Sequence, residues 1–449
     1  MLQLLLAKST LFLYAKVHFL ISKISSWGRL SASLHHVVPL HEAKLPPIEG
    51  LFKALPFGNG RSYGDVCLNP EGVLWSTMNL DRFIDFDQVT GLLTCEAGVL
   101  LRDLQRMVVP RGWMLPVMPG TQLITVGGAI ANDVHGKNHH VMGTFGDHVK
   151  RLHLLRTSGE RIACGPAENQ QWFLATVGGV GLTGFITKAT LQLRPVQGPW
   201  IESENLPFHD LSKFLDLADT SEAEWEHTVS WIDCLNARGR GVFTRGNHVG
   251  SQDRPQTTRH VIDVPFVPPV SLVNRFSLRP FNWAYYQLQA NKRKAALVNY
   301  EAFFHPLDNV KNWNRMYGPR GFYQYQSVIP RSKGKDSVLA MLKAISAKGE
   351  GSFLAVLKTF GNRKPLGMMS FPMPGVTLAL DFPNKGKKTL ALMKSLDDIV
   401  RDSGGRIYAA KDSCMSRDLW ESGYPKLAEF LIYRDPGISS AFSRRLMGN

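Results

Sequence analysis

The run from Pro119 to His148, PGTQLITVGGAIANDVHGKNHHVMGTFGDH, constrains this chain most. It holds too much glycine and too many polar groups to predict a packed helix. Gly120, Gly127, Gly128, Gly136, Gly143 and Gly146 allow backbone conformations, and close approaches to a ligand, that a Cβ would block. His135, His139, His140 and His148 fall among them with Asp133 and Lys137, and apolar Val126, Ala129 and Ile130 interrupt the polar groups. The mixture suits a large, flat, partly apolar ligand with a charged tail, such as a flavin dinucleotide. A glycine-rich surface loop with scattered histidines reads the same way at this point. No HExxH occurs and no cysteine lies close enough to complete a familiar zinc spacing, so no metal is expected.

A second stretch narrows the choice. Gly58-Asn59-Gly60-Arg61-Ser62-Tyr63-Gly64-Asp65 follows a short apolar run and reads as a loop whose backbone N–H groups cradle a diphosphate. Four motifs then occur in one order: GRSYGD (60–65), PGT-x-x-x-TVGGAIA-x-D-x-HGKNHH (119–140), ATVGG-x-GLTG (175–184) and AKDS (410–413). Together they resemble the vanillyl-alcohol-oxidase/PCMH flavoprotein superfamily, and within it the decaprenylphosphoryl-β-D-ribose 2′-oxidase family, from about Trp27 to the C-terminus. The resemblance implies an α+β fold. A two-lobed PCMH-type FAD-binding domain is followed by an α+β substrate domain inserted before the C-terminal tail. On this plan residues 26–197 bind FAD, 198–403 bind substrate, and 404–449 return to the FAD domain. It also implies that FAD contacts Gly58, Asn59, Gly60, Arg61, Ser62, Tyr63, Gly64, Gly120, Thr125, Val126, Gly127, Gly128, Asn132, Asp133, His135, Gly181, Ile186 and Tyr408. Some superfamily members attach FAD covalently through a loop histidine. Tyr63 stands at that position here, which implies non-covalent FAD.

The formal charge of +15 and pI near 9.6 favour an anionic partner. No RRM, helix-turn-helix or zinc-finger pattern occurs, which leaves nucleic acid the weakest choice beside an anionic lipid or a phosphorylated substrate. Cys67, Cys95, Cys164, Cys234 and Cys414 are odd in number, widely spaced and form no CxxC, which fits a reducing compartment. The expected location is therefore cytoplasmic and peripheral to a membrane, with the periplasmic face kept open.

Residues 1–25 are a candidate membrane-surface segment. Met1 to Lys23 is apolar but interrupted by Lys8, Lys16, His18 and Lys23, so it does not read as a spanning helix. Its lysines cluster on one side of a helical wheel, which fits either a helix lying on an anionic leaflet or a helix docked on the core. Val149–Arg156 and Glu160–Ala163 read as a hairpin turned by Ser158-Gly159. The GxGxxG string 179–184 is not a Rossmann fingerprint, because an alternating, strand-like run follows it instead of a helix. Further on, Ser230–Asp233, Gly241–Arg245, Gln324–Ile329, Phe353–Lys358, Val376–Asp381 and Arg406–Ala410 read as strands. Val338 to Ile345 and Leu392 to Ile399 read as helix faces, the second stopped by Gly404-Gly405. Arg259–Asn299, rich in Pro, Arg and aromatics, has weak periodicity and reads as a mobile cover over the substrate.

By the resemblance, Lys411 contacts flavin and sugar hydroxyls. His135 positions both, Lys137 is a nearby cation, and Gln326 and Lys358 line the sugar pocket. A buried lysine can stabilise developing negative charge, or act as a base once desolvation lowers its pKa. One departure stands out. Family members read G-W-N-I-C-V-D-F-P where this chain has GVTLALDFP (375–383), so Ala379 replaces Cys, Val376 replaces Trp and Thr377 replaces Asn. The implied reaction is oxidation of a secondary hydroxyl, the ribose 2′-OH, on a polyprenyl-phosphate-linked pentose. A separate NAD(P)H-dependent reductase would complete an epimerisation. An aldonolactone or alditol oxidase that uses O₂ is the alternative, and a non-catalytic, peripheral membrane-binding protein is the third reading.

Overall fold

A computed structural model describes residues 20–41, 53–250, 261–291 and 295–448. Three sheets organise these residues. A four-stranded sheet runs in the order Leu20–Ser25, Ala32–Pro39, Val73–Ser76, Ala54–Phe57. A five-stranded sheet runs Phe83–Asp87, Leu92–Glu96, Phe185–Gln192, Val149–Leu155, Arg161–Cys164. The largest sheet has eight strands: Ala296–Asn299, Trp200–Phe208, Gly241–His248, His227–Ile232, Val356–Phe360, Gly375–Pro383, Phe322–Pro330 and Arg406–Ile407.

The period-two alternation of a strand decides what each face of the large sheet does. Tyr325, Ile329, Leu357, Leu378 and Leu380 point one way, into a core shared with helices Leu211–Ser221, Arg331–Lys348 and Lys387–Asp402. The helices supply Phe214, Met341, Leu342, Leu392 and Leu396 to that core. Gln324, Gln326, Val356, Lys358, Ala379 and Asp381 point the other way and line a cavity. Covering one face with helices thus leaves polar side chains on the other, directed at the cavity.

Four sequence expectations need correction. The run 20–23 does not belong to a helix: Leu20–Ser25 is a strand paired antiparallel with Ala32–Pro39. Residues 1–19 of the proposed membrane-surface segment lie outside the described residues. The glycine-rich run is not helix-free, because Val126–Ala131 forms a short helix capped by Thr125. Val126, Ala129 and Ile130 sink into the core of the five-stranded sheet, and this burial outweighs the poor helix propensity of Gly127 and Gly128. Within 259–299, read as weakly periodic, residues 275–290 form a helix, started by a capping box between Asn274 and Ser277. The strand expected over 406–410 is only Arg406–Ile407, which edges the large sheet beside Phe322–Pro330.

The tail after Ile407 returns to the first glycine loop. Tyr63 N–H donates to the Ala410 carbonyl, and Ala54 N–H donates to that of Gly437. Arg445 donates to both oxygens of Asp65 and to Asp412. Gly64 is required by this contact, since a Cβ there would stand 1.5 Å from the Asp412 carbonyl oxygen.

Candidate active site

A cavity of about 810 Å³ opens among the three sheets. Its first part is lined by Gly58, Asn59, Gly60, Arg61, Ser62 and Tyr63, with Gly120, Thr125, Gly127, Gly128, Asn132, Gly181, Ile186 and Tyr408. Among the described residues, the backbone N–H groups of Asn59, Gly60, Arg61 and Ser62 have no partner within the chain. The N–H groups at the start of helix Val126–Ala131 are by contrast spent. Val126 donates to Val99, Gly127 to Ala97, and Gly128 to the Thr125 hydroxyl. The unspent amides of the first loop are therefore open to a diphosphate. The Asn59 amide bonds the Leu123 carbonyl at 2.7 Å and ties the two glycine-rich loops together. Among the described residues, the buried Asn132 Oδ1 and Arg61 Nε have no protein partner. Unpaired amides, orphaned polar atoms and a partly apolar lining fit FAD.

Three expected cofactor residues do not line the cavity. Val126 is fully buried in the core of the five-stranded sheet. Asp133 is also fully buried, where its carboxylate accepts from Gly146 N–H and from the Ser370 hydroxyl. Burial pushes its pKa up to about 6. Gly64 packs against the tail as described above.

The expected catalytic residues converge on the second part of the cavity. Gln326 lies opposite Ala379, and Lys358 opposite Thr377, on adjacent strands of the large sheet. Both reach across to His135. The Gln326 amide donates to Nε2 at 3.0 Å, and Lys358 Nζ lies 2.9 Å from Nδ1 and donates to the Gly136 carbonyl at 2.8 Å. With Gln326 donating to Nε2, the one proton of a neutral imidazole sits on Nδ1, so the acceptor there is an uncharged lysine. Burial, the foremost cause, holds His135 well below its ordinary value, so the ring is neutral, and burial also lowers Lys358 to about 7. Phe360, Phe371 and Tyr408 surround the ring at 4.9, 5.9 and 5.7 Å. Tyr408 is fixed in turn by its hydroxyl on the Asn132 carbonyl at 2.8 Å.

Lys411 sits over the Tyr63 ring at 3.9 Å, lines the same cavity, and is lowered by burial to about 7. Lys137 donates to the Phe303 carbonyl and is likewise lowered by burial to about 7. Three half-buried lysines thus face one cavity. Sequence reasoning passed over Asp381, Gln324 and Tyr317. Asp381 accepts from Gln324 at 2.8 Å and from Tyr317 at 3.0 Å, and burial raises it to about 6. Its position two residues beyond Ala379 on one strand was the available signal.

Elsewhere, ligand atoms of Glu226, His227 and His248 come within 4.8 Å of one another. Arg194 and Asn138 already bond the Glu226 carboxylate, so its charge is balanced without a metal.

Residues 52–165 match the model of an FAD binding domain family. Decaprenylphosphoryl-beta-D-ribose oxidase of Mycolicibacterium smegmatis is 33% identical over 94% of this chain and 97% of its own length. An uncharacterized protein in the mprA 5′ region of Streptomyces coelicolor is 30% identical over 78% of this chain and all of its own length. A putative D-arabinono-1,4-lactone oxidase of Neurospora crassa is 30% identical, but over only 31% of this chain and 24% of its own length. With the glycine-loop cavity and the half-buried lysines in place, the near-complete match makes the chain an FAD-dependent oxidoreductase of the decaprenylphosphoryl-beta-D-ribose oxidase family.

Proposed function

We propose that the chain oxidises a secondary hydroxyl, by analogy the ribose 2′-OH, of a polyprenyl-phosphate-linked pentose to a keto sugar. The observation that carries this reading is the set Lys137, Lys358 and Lys411, three half-buried amines on one cavity. Such a set suits an anionic substrate and the charge that develops on its oxygen. The lactone-oxidase alternative rests on a match to less than a third of the chain. The ribose-oxidase match extends through the eight-stranded sheet that carries Gln326 and Lys358.

On this reading the four- and five-stranded sheets form the two lobes that hold FAD between them, and the eight-stranded sheet belongs to the substrate domain. The amides of Asn59 to Ser62 would hold the diphosphate, and His135, Asn132 and Tyr408 would hold the ring system. FAD, when bound, supplies the acceptor for the hydride that leaves the carbinol carbon. The residues of the chain orient the alcohol and take its proton. Neutral Lys411 offers a lone pair to the hydroxyl, and its protonated form stabilises the oxyanion. Lys358 and Gln326 lock the His135 ring so that it cannot rotate away from the alcohol. Ala379 makes the adjoining wall small, with room for the sugar.

Tyr63 packs its ring between Trp313, Phe322 and Lys411, a setting that supports non-covalent FAD. Acid precipitation should release the flavin to the supernatant. The keto product requires a separate NAD(P)H-dependent reductase. Among the described residues, no helix is long and apolar enough to cross a membrane. The basic charge supports peripheral attachment, cytoplasmic or periplasmic. The test is anaerobic bleaching of the flavin by a panel of alcohols. Prenylphosphoryl-ribose should bleach it and free aldonolactones should not. Bleaching by lactones alone would transfer the chain to the alternative.

A further inference from the structure

Half of the exposed large apolar side chains among the described residues fall between Val261 and Leu288. On helix Arg275–Ala290, Phe276 (76% exposed) and Trp283 (58%) lie seven residues apart and so share one face. The opposite side is anchored. Leu278 packs with Trp313 and Phe322, Tyr286 packs with Trp231 and Val242, and the Asn282 amide bonds Asp233 at 2.7 Å. Among the described residues the helix is therefore held firmly while its outer face stays unpartnered. Beside it runs the strap 261–272, which carries exposed Ile262, Phe266, Val270 and Leu272. Arg315 pins the strap through the carbonyls of Val264 and Pro265, and Leu272 N–H bonds Met316.

Monomers rarely leave large apolar patches in water without a partner for them. Charge narrows that partner. Exposed Arg275 and Arg279 stand on the helix, and no acidic residue occurs between Asp263 and Glu301. Aromatic side chains interleaved with arginine suit the interface of an anionic bilayer. The helix also walls the cavity, because Tyr285 and Gln289 on its inner side line it.

We propose that the outer face of helix Arg275–Ala290, with the strap 261–272, seats the protein on an anionic lipid bilayer. One helix diameter, roughly 10 Å, then separates the headgroup layer from the cavity. A lipid-linked sugar can present its phosphate and ring to the lysines while its tail stays in the leaflet. The proposal deepens the lipid-linked substrate reading and rests on it for what enters from the bilayer.

Vesicles of phosphatidylcholine and phosphatidylglycerol with brominated acyl chains test it on the full-length holoenzyme. Bromine should quench part of the tryptophan emission. Trp283→Phe, which keeps an aromatic anchor, should remain bound and lose most of that quenching. Phe276→Ser/Trp283→Ser should lower the bound fraction about tenfold, while retaining flavin and turnover of a short-chain, soluble substrate. Equal quenching in wild type and Trp283→Phe would overturn the proposal. So would a vesicle-free dimer that the double substitution dissociates while vesicle binding stays unchanged, since the face would then cover a second copy. The quenching needs no sugar. Its failure therefore leaves the substrate reading standing, and a failed alcohol panel leaves the quenching result standing.

Discussion

Lys358 Nζ lies 2.9 Å from Nδ1 of His135, and the two residues come from different sheets' territory, 223 positions apart in the chain. The contact joins the glycine-rich run to the eight-stranded sheet. Lys358→Met should unlock the His135 ring while leaving the loop amides of 59–62 in place. Flavin content should stay near wild type, and the rate of substrate-driven flavin reduction should fall on the order of 10²-fold. Flavin absorbance and rapid mixing measure the two quantities separately. Loss of flavin together with activity would make Lys358 a structural tie only.

The depressed lysines predict two pH effects. Lys358 and Lys411, each lowered to about 7, must be neutral for the bonding and proton acceptance described above. Flavin reduction should therefore rise with pH through an apparent pKa near 7, assigned to the coupled pair rather than to one residue. A flat profile from pH 6 to 9 would contradict this.

Stability moves in a stated direction as well. A lysine held near 7 in the fold and near 10.5 when unfolded binds its proton more weakly in the folded state. The unfolded chain then carries more protons between those values, so stability rises with pH across that window, and the penalty is full below about 7. By the conversion for 1 pKa unit, that penalty is at most roughly 5 kcal/mol. Lys411→Met should raise Tm over wild type at pH 6.5, and the difference should shrink by pH 9.5. Equal Tm values at both pH values would refute the buried charge.

How much of this was legible beforehand differs by element. The strands around Gln324–Ile329 and Val376–Asp381 announce themselves by alternation, because one face meets helices and the other a polar cavity. Helix Arg275–Ala290 hides for two physical reasons. Pro280 interrupts it, and exposed Phe276 and Trp283 blur the apolar stripe that a water-facing helix would show. Strand Leu20–Ser25 reads as part of a helix because its apolar residues do not alternate cleanly with polar ones. Helix Val126–Ala131 is formed by packing against its own intrinsic preference. In the site, Lys358 and Lys411 were identifiable only through motifs shared with a family. Nothing local separates either from a surface lysine. Asp133 and Val126 illustrate the converse: motif membership marked them, and the structure uses them to hold the loop, away from the cavity.

The aspartate of GRSYGD has a structural task of the same kind. Arg445 spans Asp65 and Asp412, with its Nε 2.9 Å from the first and its Nη2 2.7 Å from the second. Arg445→Met would leave two largely buried carboxylates uncompensated, at a cost of about 3–5 kcal/mol. Tm should fall by several degrees, and FAD should dissociate more readily because the loop 58–64 loses its brace. Arg445→Lys should restore only part of this, since an ammonium cannot reproduce the two-pronged geometry. Thermal melts followed by flavin fluorescence report both effects.

Reduction of the flavin by substrate in Lys411→Ala, followed by anaerobic rapid mixing, measures what the Lys411 amine does for the reaction. On the proposed reading the cavity-lining residues of 58–63 and 119–135 would hold the cofactor, so one lost amine should leave flavin content unchanged. The rate of bleaching should fall by on the order of 10²–10³, or about 3–4 kcal/mol. Lys411→Arg should not recover it, because a guanidinium cannot take up a proton. Bleaching at a near wild-type rate in Lys411→Ala would contradict the account and pass the role of Lys411 to His135 or Lys358.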